Sequence, residues 1–171
     1  MTTPVLLGLV VLGVVVIVLT VVVIGIVAVM VSKLTLHSIN GPLEARIAAQ
    51  YEPAEVLMKD LCANSFGQES LGVWQIRGNG GLVLTGKALH FFLFLPKRDL
   101  LIPLDAITEI TFTKCHLGKA TIYNLLKVRF VLDGKSDSIA WYVSDPPAWK
   151  GRIEEAKGEG EKRARPIGHA P

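Results

Sequence analysis

The chain has 171 residues, half of them hydrophobic, with 18 Lys and Arg against 15 Asp and Glu. A length of this order suits one folded domain, and charges so nearly balanced do not supply the concentrated basic face that nucleic-acid binding requires. The apolar half is unevenly spread, because residues 1–32 contain no Asp, Glu, Lys, Arg or His.

After a short N-terminal tail, residues 1–4, the stretch Val5 to Val31 is almost wholly Val, Leu and Ile, broken by Gly8, Gly13, Thr20, Gly25, Ala28 and Met30. At ~1.5 Å per residue a helix of this length spans about 40 Å, more than a hydrocarbon core of roughly 30 Å, so a tilted transmembrane helix is predicted over 5–31. A signal peptide would begin with positive charge and carry a shorter apolar region, about 7 to 15 residues. A retained anchor is therefore the expectation. No basic residue precedes the span, whereas Lys33 follows at once and Arg46 lies within reach. This bias places the N-terminus outside and the C-terminal domain in the cytoplasm of a single-pass protein of the cell membrane. Gly13, Thr20 and Val27 share a heptad-like face, which would allow weak homo-oligomerisation through the span, although strict GxxxG is absent. Cys62 and Cys115 could pair, but two cysteines without a dense framework fit reduced thiols at least as well.

Residues 32–55 read as a juxtamembrane stalk. Asn40-Gly41-Pro42 stops one segment and starts a short helix that ends before Pro53, with Leu43, Ile47 and Tyr51 on one face. From residue 56 the period shortens. Residues 56–64 fit either a helix or a first strand, and strands are predicted over 73–77, 82–85, 88–95, 100–103, 107–115, 125–132 and 136–143. Leu126, Val128, Phe130 and Leu132 alternate with outward Lys127 and Arg129, and Ile139, Trp141 and Val143 repeat the pattern. The glycines of "RGNGG", Arg77 to Gly81, satisfy neither GxGxxG nor GxxxxGK[ST] and are followed by strand-like residues rather than a helix. They are read as a hairpin turn. Ser144-Asp145-Pro146-Pro147 starts a helix on which Trp149, Ile153 and Ala156 recur at one face, and residues 158–171 are expected to form a disordered tail.

From Cys62 to Ile153 the sequence resembles the GRAM/PH-like domains of small bacterial single-pass membrane proteins of uncharacterised role. The likeness rests on Arg77-Gly78-Asn79-Gly80, Leu95-Pro96-Lys97-Arg98, Ile102-Pro103-Leu104 and His116-Leu117-Gly118-Lys119. It implies a mainly-β PH-like barrel over 56–157, with two packed antiparallel sheets of about seven strands and a C-terminal capping helix. It also implies a role in binding lipids or proteins.

No catalytic constellation is legible. Histidine occurs only at His37, His90, His116 and His169, there is no GxSxG elbow, and Cys115 beside His116 is not a metal-ligand spacing. No enzyme activity, metal or cofactor is expected. The candidate anion- or lipid-binding residues are Lys97, Arg98, Lys114 and Lys119, cations in two loops that could surround a phosphate or could be a solvated surface, with Asp99 partly neutralising the first pair. The expected function is a membrane-tethered binding or adaptor module that recognises a membrane protein or anionic lipid at the cytoplasmic face. The alternative is a structural or assembly subunit of a larger membrane complex.

Overall fold

The computed structural model describes residues 3–164, without the side chains of residues 3–7, 9, 10, 32–39, 161, 163 and 164. It divides into two compact units, Met1–Pro42 and Leu43–Pro171. Helix α1 is Thr3–Ala48. Within the first unit, the 21 residues Val11–Val31 are long and apolar enough to cross a membrane, and none of them is buried. Pro42 lies inside α1, so the expected break at Asn40-Gly41-Pro42 is corrected. Proline removes one backbone donor, and here that loss does not end the helix.

The second unit begins at Leu43 rather than at residue 56. Its strands are β1 Val56–Gln68, β2 Gly78–Thr85, β3 Ala88–Leu93, β4 Arg98–Pro103, β5 Ile107–His116, β6 Lys119–Leu132 and β7 Lys135–Tyr142. They are hydrogen-bonded into one antiparallel sheet in the order β4-β3-β2-β1-β7-β6-β5. The ambiguous segment 56–64 is thus strand. Leu117-Gly118 and Asp133-Gly134, all at positive φ, make the tight turns between β5, β6 and β7.

Two expectations fail around the glycines. Residues 73–77 are turn and irregular backbone rather than strand, and Gly78-Asn79-Gly80-Gly81 is the start of β2 rather than a hairpin turn. The glycines are needed for proximity, not for positive φ. A Cβ at Gly80 would sit 2.2 Å from the Phe92 carbonyl oxygen and 2.8 Å from the Phe91 ring, and one at Gly81 would meet Leu43 at 3.1 Å.

Side chains of β2 and β3 pack on both faces. Leu82, Leu84, Leu89 and Phe91 enter the main core with Ile102, Ile110, Val128, Phe130 and Trp141, whereas Val83 and Phe92 turn to the other face and meet Leu43 and Ile47 from the end of α1. Double coverage explains why these strands read as near-continuous apolar runs. The expected face of Leu43, Ile47 and Tyr51 is therefore used, against the sheet.

Helix α2, Pro146–Ala164, closes the main core with Trp149, Ile153 and Ala156. Asp145 caps it, its Oδ1 accepting from the Ala148 amide at 3.0 Å. The helix continues past Lys157, whose ammonium donates to the Ile107 carbonyl. The expectation of disorder from residue 158 is accordingly corrected up to Ala164, and the remainder of that tail lies outside the described residues.

Candidate functional site

One end of the sheet gathers the end of β1, the start of β2, the end of β3 and the start of β4. Ser65 pairs with Gly78, Gly80 with Leu93 and Leu93 with Arg98, and the Phe94 amide donates to the Asn79 carbonyl at 2.9 Å. Loops 69–77 and 94–97 therefore emerge side by side.

The base of the first loop is fixed by Asp137 from β7. Its carboxylate accepts from Gln68 Nε2 and Ser70 Oγ, both at 2.6 Å, and from the Ser70 and Ser138 amides at 2.9 and 2.8 Å. Burial alone would raise the Asp137 pKa, but the bonds from Ser70, Gln68 and Ser138 together hold it below the ordinary value of 3.8. Gln75 closes the loop from within, donating to the Gln68 and Gly72 carbonyls at 2.6 Å and accepting from the Gln68 amide at 3.0 Å. A loop pinned in this way still presents apolar side chains to solvent. Trp74 is 95% exposed and Ile76 84%, and Leu95 in the neighbouring loop is 69% exposed.

Of the four candidate cations, Arg98 and Lys119 both reach the Phe66–Gln68 end of β1. Arg98 shares a small cleft with Ser65, Gln68 and Gln75. Lys119 Nζ donates to the Phe66 carbonyl at 2.7 Å, so its ammonium is engaged by the backbone; burial and then the nearby Arg77 charge lower its pKa. Lys97 is exposed in the turn before Arg98, and Lys114 is exposed on β5. Among the described residues none of the four is in an ion pair. Asp99, next to Arg98 in sequence, forms its ion pair with Arg46 of α1 at 2.5 Å.

Sequence reasoning missed Trp74, Ile76, Leu95 and Arg77. Arg77 lies over the Phe66 ring at 4.2 Å and donates to the Ala120 carbonyl at 3.1 Å. His116 Nε2 lies 3.0 Å from the Gly67 carbonyl oxygen, which ties the tip of the β5–β6 hairpin to the same place. From Trp74 to Arg77 the residues alternate apolar and polar as in a strand.

Both cysteines are free and exposed. Among the described residues no group of three or more His, Cys, Asp or Glu could hold a metal. This end presents exposed apolar and aromatic groups beside Lys97 and Arg98.

No protein-family model matches the sequence, and no curated protein matches it. Among solved structures the chain is similar to one in "The 8S snRNP Assembly Intermediate" at 8% identity and a TM-score of 0.49, covering 70% of this chain and 91% of that one. It is similar to the "Vps36 N-terminal PH domain" at 15% identity and a TM-score of 0.46, covering 63% and 81%. A third is the C-terminal domain of an unknown protein from Leishmania infantum, at 14% identity and a TM-score of 0.42, covering 72% and 96%.

Proposed function

We propose that the chain is a single-pass membrane protein whose β domain is a PH-like binding module held at the cytoplasmic face of the cell membrane. In this reading β1–β4 and β5–β7 are two packed layers of the one curled sheet, α2 is the capping helix, and the GRAM-like and bacterial affiliations rest on the sequence resemblance. The work of the domain is binding rather than catalysis, without a cofactor, and its partner is an anionic lipid or a protein of the same membrane. The observation that carries the proposal is the sheet end where Trp74, Ile76 and Leu95 stand exposed beside Lys97 and Arg98. The charge-free, strongly apolar stretch Val11–Val31 supports tethering. A tethered domain meets its partner at high effective concentration, so weak affinity suffices.

Alkaline carbonate extraction of membranes containing the full chain tests the tether. Retention in the pellet with an intact N-terminus is expected. Release as soluble protein with a cleaved N-terminus overturns it. A reporter joined after Pro171 is expected to be active in the cytoplasm, and activity only outside reverses the orientation.

A further inference from the structure

The segment Leu43–Tyr51 is held on the outer face of β2 and β3 by apolar packing and by a few polar ties. Leu43, Ile47 and Tyr51 pack with Val83 and Phe92. Tyr51 also shares a 2.9 Å hydrogen bond with Nδ1 of His90, and Arg46 donates to the Leu93 carbonyl at 3.1 Å and pairs with Asp99 at 2.5 Å. Glu44 adds a half-exposed ion pair with Lys59 of β1 at 3.5 Å. Among these partners His90 combines deep burial, at 2% exposure, with a side chain that changes charge near neutral pH.

The surroundings of His90 suit a neutral imidazole. Its strand partners are Val83 in β2 and Leu101 in β4, and its ring lies against Phe92 with centroids 3.9 Å apart, so these neighbours are all uncharged. The charged groups that face it are Arg46 from α1 and Asp99 from β4, with Glu55 acting on Tyr51. Arg46 already lies over the Phe92 ring, 5.6 Å from its centroid, and Asp99 is engaged by that same guanidinium. A proton on His90 would thus set a second cation beside the first in a dry, apolar place. Lifting Leu43–Tyr51 away relieves the conflict, because it admits water to the imidazole and removes Arg46.

We propose that Leu43–Tyr51 is an acid-released latch: protonation of His90 frees it from β2 and β3 and bares Val83 and Phe92 while the rest of the sheet stays folded. The inference goes beyond the binding role proposed above and does not depend on the tether. Release is local because the main core of Leu82, Leu84, Leu89 and Phe91 lies on the opposite face of the same strands and does not include the segment. Burial lowers the His90 pKa from 6.5 while the latch is closed, with Asp99 opposing the shift and Arg46 reinforcing it. The released state therefore binds more protons as the pH falls below 6.5, and one proton raises the released fraction by at most about tenfold per pH unit.

A thiol placed under the latch reports its release. The full chain carrying Val83→Cys and Cys62→Ser is held in detergent micelles, and the labelling rate at position 83 is divided by that of the exposed Cys115, which cancels the pH dependence of the reagent. Between about pH 7.5 and about pH 5.5 this ratio should rise by up to about tenfold. Emission from Trp141 and Trp149, both fully buried in the main core, should not shift over the same range. His90→Gln or His90→Phe should abolish the rise, and His116→Gln should leave it in place. Ile47→Cys, on the other side of the same contact, serves as a second reporter and should respond alike. A constant ratio at both positions overturns the latch. So does a rise that comes with a tryptophan shift, which would mean that the whole domain opens, or a rise that persists in either folded His90 variant.

Discussion

The rings of Phe91 in β3 and Trp141 in β7 lie with centroids 5.8 Å apart, although β2 and β1 stand between their strands in the sheet. Three strand spacings on a flat sheet would separate them by about 14 Å. The sheet therefore curls until its two halves share one core, and that curl brings Arg98 at the start of β4 into the same cleft as Ile139 of β7.

A shared core makes single truncations costly. Phe130 is fully buried, so Phe130→Ala should lower stability by about 3 to 5 kcal/mol. The neighbouring Arg129 is half-exposed and paired with Glu109 at 3.2 Å, and Arg129→Ala should cost at most about 1 kcal/mol. Denaturant unfolding followed by tryptophan emission compares the two. Equal losses would mean that the alternation on β6 is misassigned.

Gly80 and Gly78 should respond differently to alanine. The new methyl at Gly80 would collide with the backbone carbonyl of Phe92, which cannot step aside without disturbing the β2–β3 ladder, so a loss of about 1 to 3 kcal/mol or more is expected. At Gly78 the obstacle, 2.3 Å away, is the terminal Cδ1 of Leu93, which can rotate, so the loss should be smaller. Thermal melts of the two variants rank them, and a reversed order would refute the close-approach explanation.

Acid should destabilise the domain in two separate stages. His90 and His116 both have pKa values lowered from 6.5, chiefly by burial, so the unfolded chain binds more protons than the native one as the pH falls below 6.5. Around His90, Asp99 opposes that shift and Arg46 reinforces it. The Gly67 carbonyl and Glu69 oppose it at His116, where Lys127 and Lys119 add to it. The stability due to the two neutral imidazoles is present above pH 6.5 and is lost as the pH falls below it. Asp137, lowered from 3.8, contributes stability that is present above 3.8 and lost only in stronger acid. Melting temperature against pH should thus fall in two steps. Combining His90→Phe with His116→Gln should flatten the first step alone.

Asp137→Ala removes the acceptor for Gln68 and for both the amide and the hydroxyl of Ser70, at a cost of about 1 to 3 kcal/mol. Because these bonds pin loop 69–77, hydrogen exchange should accelerate most at Ser70 and its neighbours. Unchanged protection there would show that the loop is held by other means.

Local patterns carried part of this architecture. Trp149, Ile153 and Ala156 announced the closing helix, and Phe130, Ile139 and Trp141 announced inward faces, because each period of 3.6 or 2 is visible within a few residues. Leu125 and Ala140 were not legible as buried. They sit on the other face and are covered by Phe66, from a distant part of β1. The same holds for the candidate site. Lys97, Arg98, Lys114 and Lys119 could be picked out as loop cations, but the capture of Lys119 by the Phe66 carbonyl and of Asp99 by Arg46 each spans 53 residues. The pattern Trp74 to Arg77 shows the converse, since alternation alone does not make a strand where no neighbouring strand pairs with it.

The contact of Leu43 and Ile47 with Val83 and Phe92 bears on how the β domain could be transplanted. A splice before Leu43 carries a sealed module to any new anchor. A splice at residue 56, where the strands begin, leaves behind the residues that cover Val83 and Phe92 and the side chains for which Gly81 makes room. The graft would then display a bare apolar strip on the outside of β2 and β3, and it would be prone to aggregate although every strand of the sheet had been included.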